Sequence, residues 1–155
     1  LKNILASPEA VIENNTNLAA AYYYPPAQIK LGQKLIGLAT SAMDISDGLL
    51  QDASHIAKAS NCCLNFTAAN IPLNDLAIDQ FGQSQALQFA LSGGDDYQLL
   101  FTAPPQAQDV LNELGCYQVG KVEEKRRVSQ ADTQAAWVLL DGQTIKNKHM
   151  GYQHF

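Results

Sequence analysis

The sequence predicts an α+β domain in which helices pack on one mostly antiparallel sheet. Segments with helical periodicity mix with short apolar runs typical of strands, and the connections between them have both hairpin and crossover lengths. The chain has 155 residues, which is the size of one domain and enough to bury a core. Its hydrophobic share of 46% and charged share of 16% are ordinary for a folded, soluble protein.

Helices are predicted where apolar residues recur every three or four positions. Residues 7–24 begin with a cap-and-proline signal and end before two prolines. The clearest pattern covers residues 48–59, with Ser46 or Asp47 as the expected N-cap. The other helical patterns cover residues 28–38, 74–89 (with a possible break near Gly82) and 106–114.

Strands are predicted where short runs of apolar, aromatic or β-branched residues lie between turn signals. The pair Asp141-Gly142 is a tight-turn signal that follows the last of these runs. The predicted strands cover residues 39–45, 62–68, 89–91, 97–102, 117–122 and 136–140.

Charge and cysteine content narrow the classes of function. The net charge of −5 argues against a nucleic-acid binder, because no basic stripe is available to neutralise phosphates. Apolar stretches fall short of the ~20 residues that a membrane-spanning helix needs. Cys62, Cys63 and Cys116 lack metal-ligand spacing, so we expect reduced, mostly buried thiols and a cytoplasmic location.

The densest group of candidate ligands is the first acidic segment, residues 44–48 (Asp-Ile-Ser-Asp-Gly). Magnesium prefers oxygen ligands and can share one or two carboxylates with phosphate oxygens. Free N–H groups at the start of the following helix also attract anions. The segment therefore suits a magnesium-bound phosphate, with Asp44, Ser46 and Asp47 as candidate ligands. Plain helix capping is the alternative, because such short motifs recur by chance.

A second acidic segment, residues 92–97 (Ser-Gly-Gly-Asp-Asp-Tyr), lies between two apolar runs. Its two glycines permit positive φ angles and close approach of the backbone to a ligand. The carboxylates beside them could orient a metal or a cationic substrate. A plain connection between two elements is the alternative.

Three stretches together resemble the thiamine-monophosphate kinase family. In chain order they are residues 44–49 (Asp-Ile-Ser-Asp-Gly-Leu), 91–102 (Leu-Ser-Gly-Gly-Asp-Asp-Tyr-Gln-Leu-Leu-Phe-Thr) and 151–155 (Gly-Tyr-Gln-His-Phe). The resemblance implies ATP-dependent phosphorylation of thiamine monophosphate, with thiamine diphosphate and ADP as products. It also implies a layered α/β/α fold like the C-terminal domain of aminoimidazole ribonucleotide synthetase.

The same resemblance implies roles for five residues. Asp44 and Asp47 would bind magnesium, and Ser46 would contact ATP. Asp95 and Tyr152 would contact thiamine monophosphate, because a carboxylate suits its cationic thiazolium or the aminopyrimidine partner, and an aromatic face suits stacking and cation–π contact. No catalytic side chain is implied, since positioning and magnesium supply most of the catalysis in such transfers. The family usually has Glu where Asp95 stands, which shortens this carboxylate by one methylene.

Residues 1–155 would then be a single C-terminal domain, with the family's N-terminal ATP-binding domain absent from this chain. The chain alone is expected to be inactive. The whole protein is expected to be a homodimer that binds neither nucleic acid nor membrane. Two alternatives stay open: another enzyme of the same superfamily, of the aminoimidazole ribonucleotide synthetase or selenophosphate synthetase type, and a non-catalytic module for dimerisation or binding.

Overall fold

The computed structural model describes residues 18, 23–124 and 137–145. Most of the predicted helix over 7–24 and the C-terminal stretch with Tyr152 lie outside these ranges. No described helix is both long and apolar enough to cross a membrane. In chain order the elements are α1 (Ile29–Leu35), β1 (Ser41–Asp44), α2 (Leu49–Ala59), β2 (Cys62–Phe66), α3 (Asp75–Phe81), α4 (Gln83–Ser92), β3 (Leu99–Thr102), α5 (Gln108–Glu113), β4 (Gly120–Glu124), β5 (Val138–Leu140) and β6 (Gln143–Thr144).

The described strands form two sheets. Strands β1 and β3 make an antiparallel pair, and the second sheet has the order β4-β2-β5-β6. Strand β2 pairs antiparallel with β4 and parallel with β5, while β5 and β6 form a hairpin around the predicted turn at Asp141-Gly142. The α+β class and the mostly antiparallel pairing are thus confirmed. The division into two sheets was not expected from the sequence.

Helix α2 forms the centre of the main core. Its buried apolar side chains are spaced by three and four residues, so they share the face that packs on the sheets. They are joined there by strand residues such as Phe66 and Leu100. The buried apolar residues of α2 are Leu49, Leu50, Ala53, Ile56 and Ala57.

Pairing of β1 with β3 places the two acidic segments side by side. Asp44, the last residue of β1, lies opposite Leu99, the first residue of β3. The pairing continues past the strands, since the Ile45 N–H donates to Gln98 O and the Tyr97 N–H donates to Ile45 O. The first acidic segment follows β1 and the second precedes β3, so this sheet end gathers both.

The predicted strand over 89–91 is wrong. Helix α4 continues to Ser92, and Leu91 is buried in the core on a helical face with Leu87 packed nearby. A three-residue apolar run fits either a strand or a buried helix turn. Here the packing of Leu91 in the core favours the helix. The predicted break at Gly82 is confirmed, because its positive φ of 79° separates α3 from α4.

None of the three cysteines forms a disulfide. Cys63 is fully buried, whereas Cys62 and Cys116 are half-buried. Burial raises the pKa of the Cys116 thiol. This agrees with the prediction that the cysteines pack as small apolar side chains.

Candidate functional site

The two acidic segments touch through their backbones. The Asp95 N–H donates to Ser46 O at 2.8 Å. At Gly94 there is no room for a side chain, because a Cβ would lie 2.6 Å from Ser46 O. The glycine is needed here for the close approach that the sequence suggested, although the partner is another part of the chain.

Gly48 forms the second contact between the segments. Its φ is 113°, and a Cβ would lie 3.0 Å from the Ser92 carbonyl carbon. Helix α2 begins at the next residue, so its start is packed against the end of α4. Glycine is required on both counts, because an L side chain would be strained and crowded.

The predicted N-cap of α2 is wrong. The N-cap position is Gly48, which has no side chain to accept a hydrogen bond. Instead, the carboxylate of Asp52 reaches back from the first turn of the helix. Its Oδ2 accepts the N–H of Ser46 at 2.9 Å and the N–H of Asp47 at 3.0 Å. The Asp52 side chain, from within the helix, thus satisfies the backbone N–H groups of the two residues before Gly48.

The predicted ligands of the first acidic segment are accessible to different degrees. Asp44 is exposed at the end of β1, whereas Ser46 and Asp47 are half-buried. The Ser46 hydroxyl lies 3.5 Å from Asp47 Oδ1, and Gln51 Nε2 donates to Asp47 Oδ2 at 3.2 Å. The Asp47 carboxylate is thus oriented by its neighbours.

In the second acidic segment, Asp95 is bound by a tyrosine. The Tyr97 hydroxyl donates to Asp95 Oδ1 at 2.9 Å. Both residues have positive φ angles, 65° for Asp95 and 50° for Tyr97, which is uncommon for residues other than glycine. The hydrogen bond to Asp95 and the negative charges of Asp95, Asp44 and Asp47 raise the pKa of Tyr97. The carboxylates of both segments therefore share one electrostatic environment.

Asp96 is the most perturbed acid of the site. Burial of its carboxylate, followed by the charge of Asp95, raises its pKa to about 6. Part of the side chain is nevertheless open to solvent, so water is able to reach the group. A cation placed beside this carboxylate would stabilise its ionised form.

Taken together, the structure brings Asp44, Ser46, Asp47 and Asp95 to one sheet end. In the described part of the chain, no group of three or more His, Cys, Asp or Glu side chains forms a complete metal site. Two carboxylates still suit magnesium that is shared with phosphate oxygens and water. Tyr152 lies outside the described residues, so its role stays a prediction.

Sequence reasoning missed the roles of Asp52 and Tyr97. Asp52 carries a usable signal, because it is a charged residue within the apolar face of α2, between Leu49 and Ala53. The bond between Tyr97 and Asp95 carries no such signal. It depends on two positive φ angles, which residue types do not reveal.

An open cavity of about 500 Å³ lies apart from these residues. Its lining includes Ile71, Leu87 and Asp141, and none of the predicted site residues. The Asp141 carboxylate already accepts the N–H of Ala68 at 3.1 Å. The acidic segments, and not this cavity, therefore form the candidate site.

Comparison with known families and sequences supports the resemblance that the motifs predicted. The family described as "AIR synthase related protein, C-terminal domain" matches residues 4–132. A thiamine-monophosphate kinase from Haemophilus influenzae is 39% identical over 131 residues, which is 81% of this chain and 40% of the relative. The thiamine-monophosphate kinase from Escherichia coli K12 is 34% identical over 155 residues, covering 94% of this chain and 47% of the relative. The chain thus spans less than half the length of these relatives.

Solved structures agree with the fold. The thiamine-monophosphate kinase from Stenotrophomonas maltophilia K279a matches with a TM-score of 0.74 and 30% identity, over 83% of this chain and 39% of that one. AaThiL complexed with AMPPCP and TMP matches with a TM-score of 0.67 and 30% identity, over 83% and 38%. These matches confirm the predicted fold class.

Proposed function

The chain belongs to the family of AIR synthase related protein C-terminal domains, and we propose that it is the C-terminal domain of an ATP- and magnesium-dependent thiamine-monophosphate kinase. The observation that carries the proposal is the contact between the two acidic segments, with Gly94 against Ser46 O. The names of the relatives and the AMPPCP and TMP bound in AaThiL support the substrates. Because the chain covers less than half of each relative, the activity is assigned to the whole protein, which would also carry an ATP-binding domain.

The reaction would transfer the γ-phosphoryl group of ATP to thiamine monophosphate. An oxygen of the acceptor phosphate forms the new P–O bond, and the bond to the β-phosphate oxygen breaks, which releases ADP. Bound magnesium would neutralise phosphate charge during this transfer. Asp44 and Asp47 would hold the metal, and the Ser46 hydroxyl would orient ATP.

Asp95 and Tyr152 would bind the acceptor. The Asp95 carboxylate is held by Tyr97 at 2.9 Å, which fixes its direction without neutralising its charge. A fixed carboxylate suits the positive charge of thiamine, and an aromatic ring at residue 152 would stack on it. The shorter reach of Asp95 compared with Glu would be offset by this fixed orientation.

We also propose a cytoplasmic location and a homodimeric whole protein. The three cysteines, which form no disulfide, support the location, because thiols stay reduced in that compartment. The dimer rests on the resemblance to the kinase family. Size-exclusion chromatography with light scattering on the whole protein tests it directly.

The first experiment is a product assay. The full-length protein is incubated with ATP, magnesium and thiamine monophosphate, and thiamine diphosphate and ADP are measured by chromatography. Equal amounts of the two products are expected. Binding of ATP without formation of thiamine diphosphate would refute the proposal and favour a related enzyme with another acceptor.

A variant pair tests the metal role of the first acidic segment. Asp44→Asn should lose most of the turnover without unfolding, because the exposed side chain has no part in the core. Asp79→Asn is the matched control, since Asp79 is an exposed acid on α3, away from both acidic segments. Near-normal turnover of Asp44→Asn would contradict its role as a ligand.

A further inference from the structure

Asp52 is a buried carboxylate to which the proposed reaction assigns no role. Only 2% of the residue is exposed, and it lies on the apolar face of α2. Burying a charged group is unfavourable unless hydrogen bonds replace its water. In Asp52 a single oxygen, Oδ2, accepts two backbone N–H groups, those of Ser46 and Asp47.

The bond to Asp52 holds the N–H side of Ser46, and the second acidic segment holds its carbonyl side. The Ser46 N–H points to the Asp52 carboxylate, while its carbonyl oxygen accepts the Asp95 N–H at 2.8 Å. Asp52, Ser46 and Asp95 therefore form one continuous chain of hydrogen bonds. Through Ser46, the Asp52 carboxylate is linked to residues of both acidic segments.

We propose that Asp52 is a positioning residue for both sides of the candidate site. Its carboxylate holds the backbone of Ser46 and Asp47, and through Ser46 it holds Asp95. The inference rests on the proposed function, because it assigns magnesium to the first segment and thiamine monophosphate to the second. Asp52 itself is only 2% exposed, so it would contact neither ligand directly.

Two substitutions separate the charge of Asp52 from its hydrogen-bond acceptor. Asp52→Asn keeps an oxygen that can accept both N–H groups but loses the charge, while Asp52→Ala removes the acceptor. Bonds to charged acceptors are about twice as strong as neutral ones. We therefore expect Asp52→Ala to weaken the hold on the Ser46 and Asp47 backbone more than Asp52→Asn does. The matched control is Ser54→Ala, which removes another buried polar side chain from α2 and leaves both bonds in place.

The first measurement does not depend on activity. Amide hydrogen exchange of the full-length protein without ligands is followed by mass spectrometry at Ser46, Asp47 and Asp95. Exchange at Ser46 and Asp47 should be faster by about tenfold or more in Asp52→Ala, because each amide loses a bond to a charged acceptor. Asp95 should also exchange faster, whereas Ser54→Ala should match the wild type at all three amides. Unchanged exchange in both Asp52 variants would overturn the proposal.

The second measurement separates positioning from stability. The half-saturating magnesium concentration and the KM for thiamine monophosphate should both rise, by about tenfold in Asp52→Asn. A purely structural role would lower the amount of folded enzyme and the apparent kcat but leave both constants unchanged, and this result would overturn the proposal. If the wild type made no thiamine diphosphate, the proposed function would fail, while the exchange data would still decide whether Asp52 holds the two segments.

Discussion

Gly94→Ala is the most direct perturbation of the contact between the acidic segments. The new Cβ would lie 2.6 Å from Ser46 O, whereas ordinary contact begins at 3.4 Å. The two backbones must therefore separate by about 0.8 Å, the difference between these distances. The bond from the Asp95 N–H to Ser46 O, now 2.8 Å, would then exceed the length of a normal hydrogen bond.

The magnitude follows from these two effects. Forcing an extra carbon into a packed contact costs about 1–3 kcal/mol. Losing one hydrogen bond adds about 1 kcal/mol. We expect Gly94→Ala to lower the free energy of unfolding by about 2–4 kcal/mol, which is a large part of the stability of an ordinary domain.

Urea unfolding of the 155-residue chain, followed by circular dichroism, measures this loss. The control is Gly32→Ala in helix α1, where the new Cβ would meet Leu99 Cδ1 at an ordinary 3.7 Å. Alanine favours a helix over glycine, so this variant should be more stable by about 0.5–1 kcal/mol. The test is that Gly94→Ala lowers the free energy of unfolding whereas Gly32→Ala raises it. Equal unfolding midpoints for Gly94→Ala and the wild type would refute the close contact, and with it the argument for a joint site.

Three further changes probe the charge, the core and the sheet. Burial and the charge of Asp95 raise the pKa of Asp96 from its usual 3.8 to about 6, so the contribution of this group to stability is fully present below pH 3.8 and is lost as the pH rises through 6. In urea titrations of the metal-free chain, Asp96→Asn should remove this loss of stability with rising pH. The variant should gain about 1 kcal/mol in the free energy of unfolding at pH 7, a value already reduced for solvent screening. Parallel curves of stability against pH for the variant and the wild type would contradict the prediction. Leu50→Ala should cost about 3 kcal/mol, because Leu50 is only 1% exposed, and a loss below 1 kcal/mol in urea would be inconsistent with its burial. Asn65→Ala should cost about 2 kcal/mol, because Asn65 accepts the Gly142 N–H and donates to Glu123, and an unchanged thermal midpoint would argue against both bonds.

Local patterns predicted the elements with repeated signals. Helix α2 has five buried apolar residues at helical spacing, and its predicted range of 48–59 differs from the observed one by a single residue. The strand predicted over 89–91 failed because three apolar residues carry no period. Whether such a run is extended or helical depends on neighbours that are distant in sequence, here the core around Leu91.

The construction of the candidate site could not be predicted from the sequence. The acidic motifs and the family resemblance proposed Asp44, Ser46, Asp47 and Asp95, and the structure places these residues close together. The contact of Gly94 with Ser46 O joins positions 48 residues apart, and no short motif encodes such a contact. It follows only when β1 pairs with β3, because that register brings the two segments to one end of the sheet.

Several features of this sheet end are unfavourable for the chain without a ligand. Asp95 and Tyr97 adopt positive φ angles, which cost of order 1–3 kcal/mol each for residues held in such regions. The pKa of Asp96 is raised to about 6, so its ionisation at neutral pH lowers the stability of the folded chain. A core-forming role would not select such features, since each lowers stability and none packs apolar surface. A cation shared with phosphate would relieve the electrostatic part of this cost, and that relief is available only when the ligand is bound. The raised pKa of Asp96 is therefore the feature that a bound cation would change, and this argument rests on charge and not on the relatives.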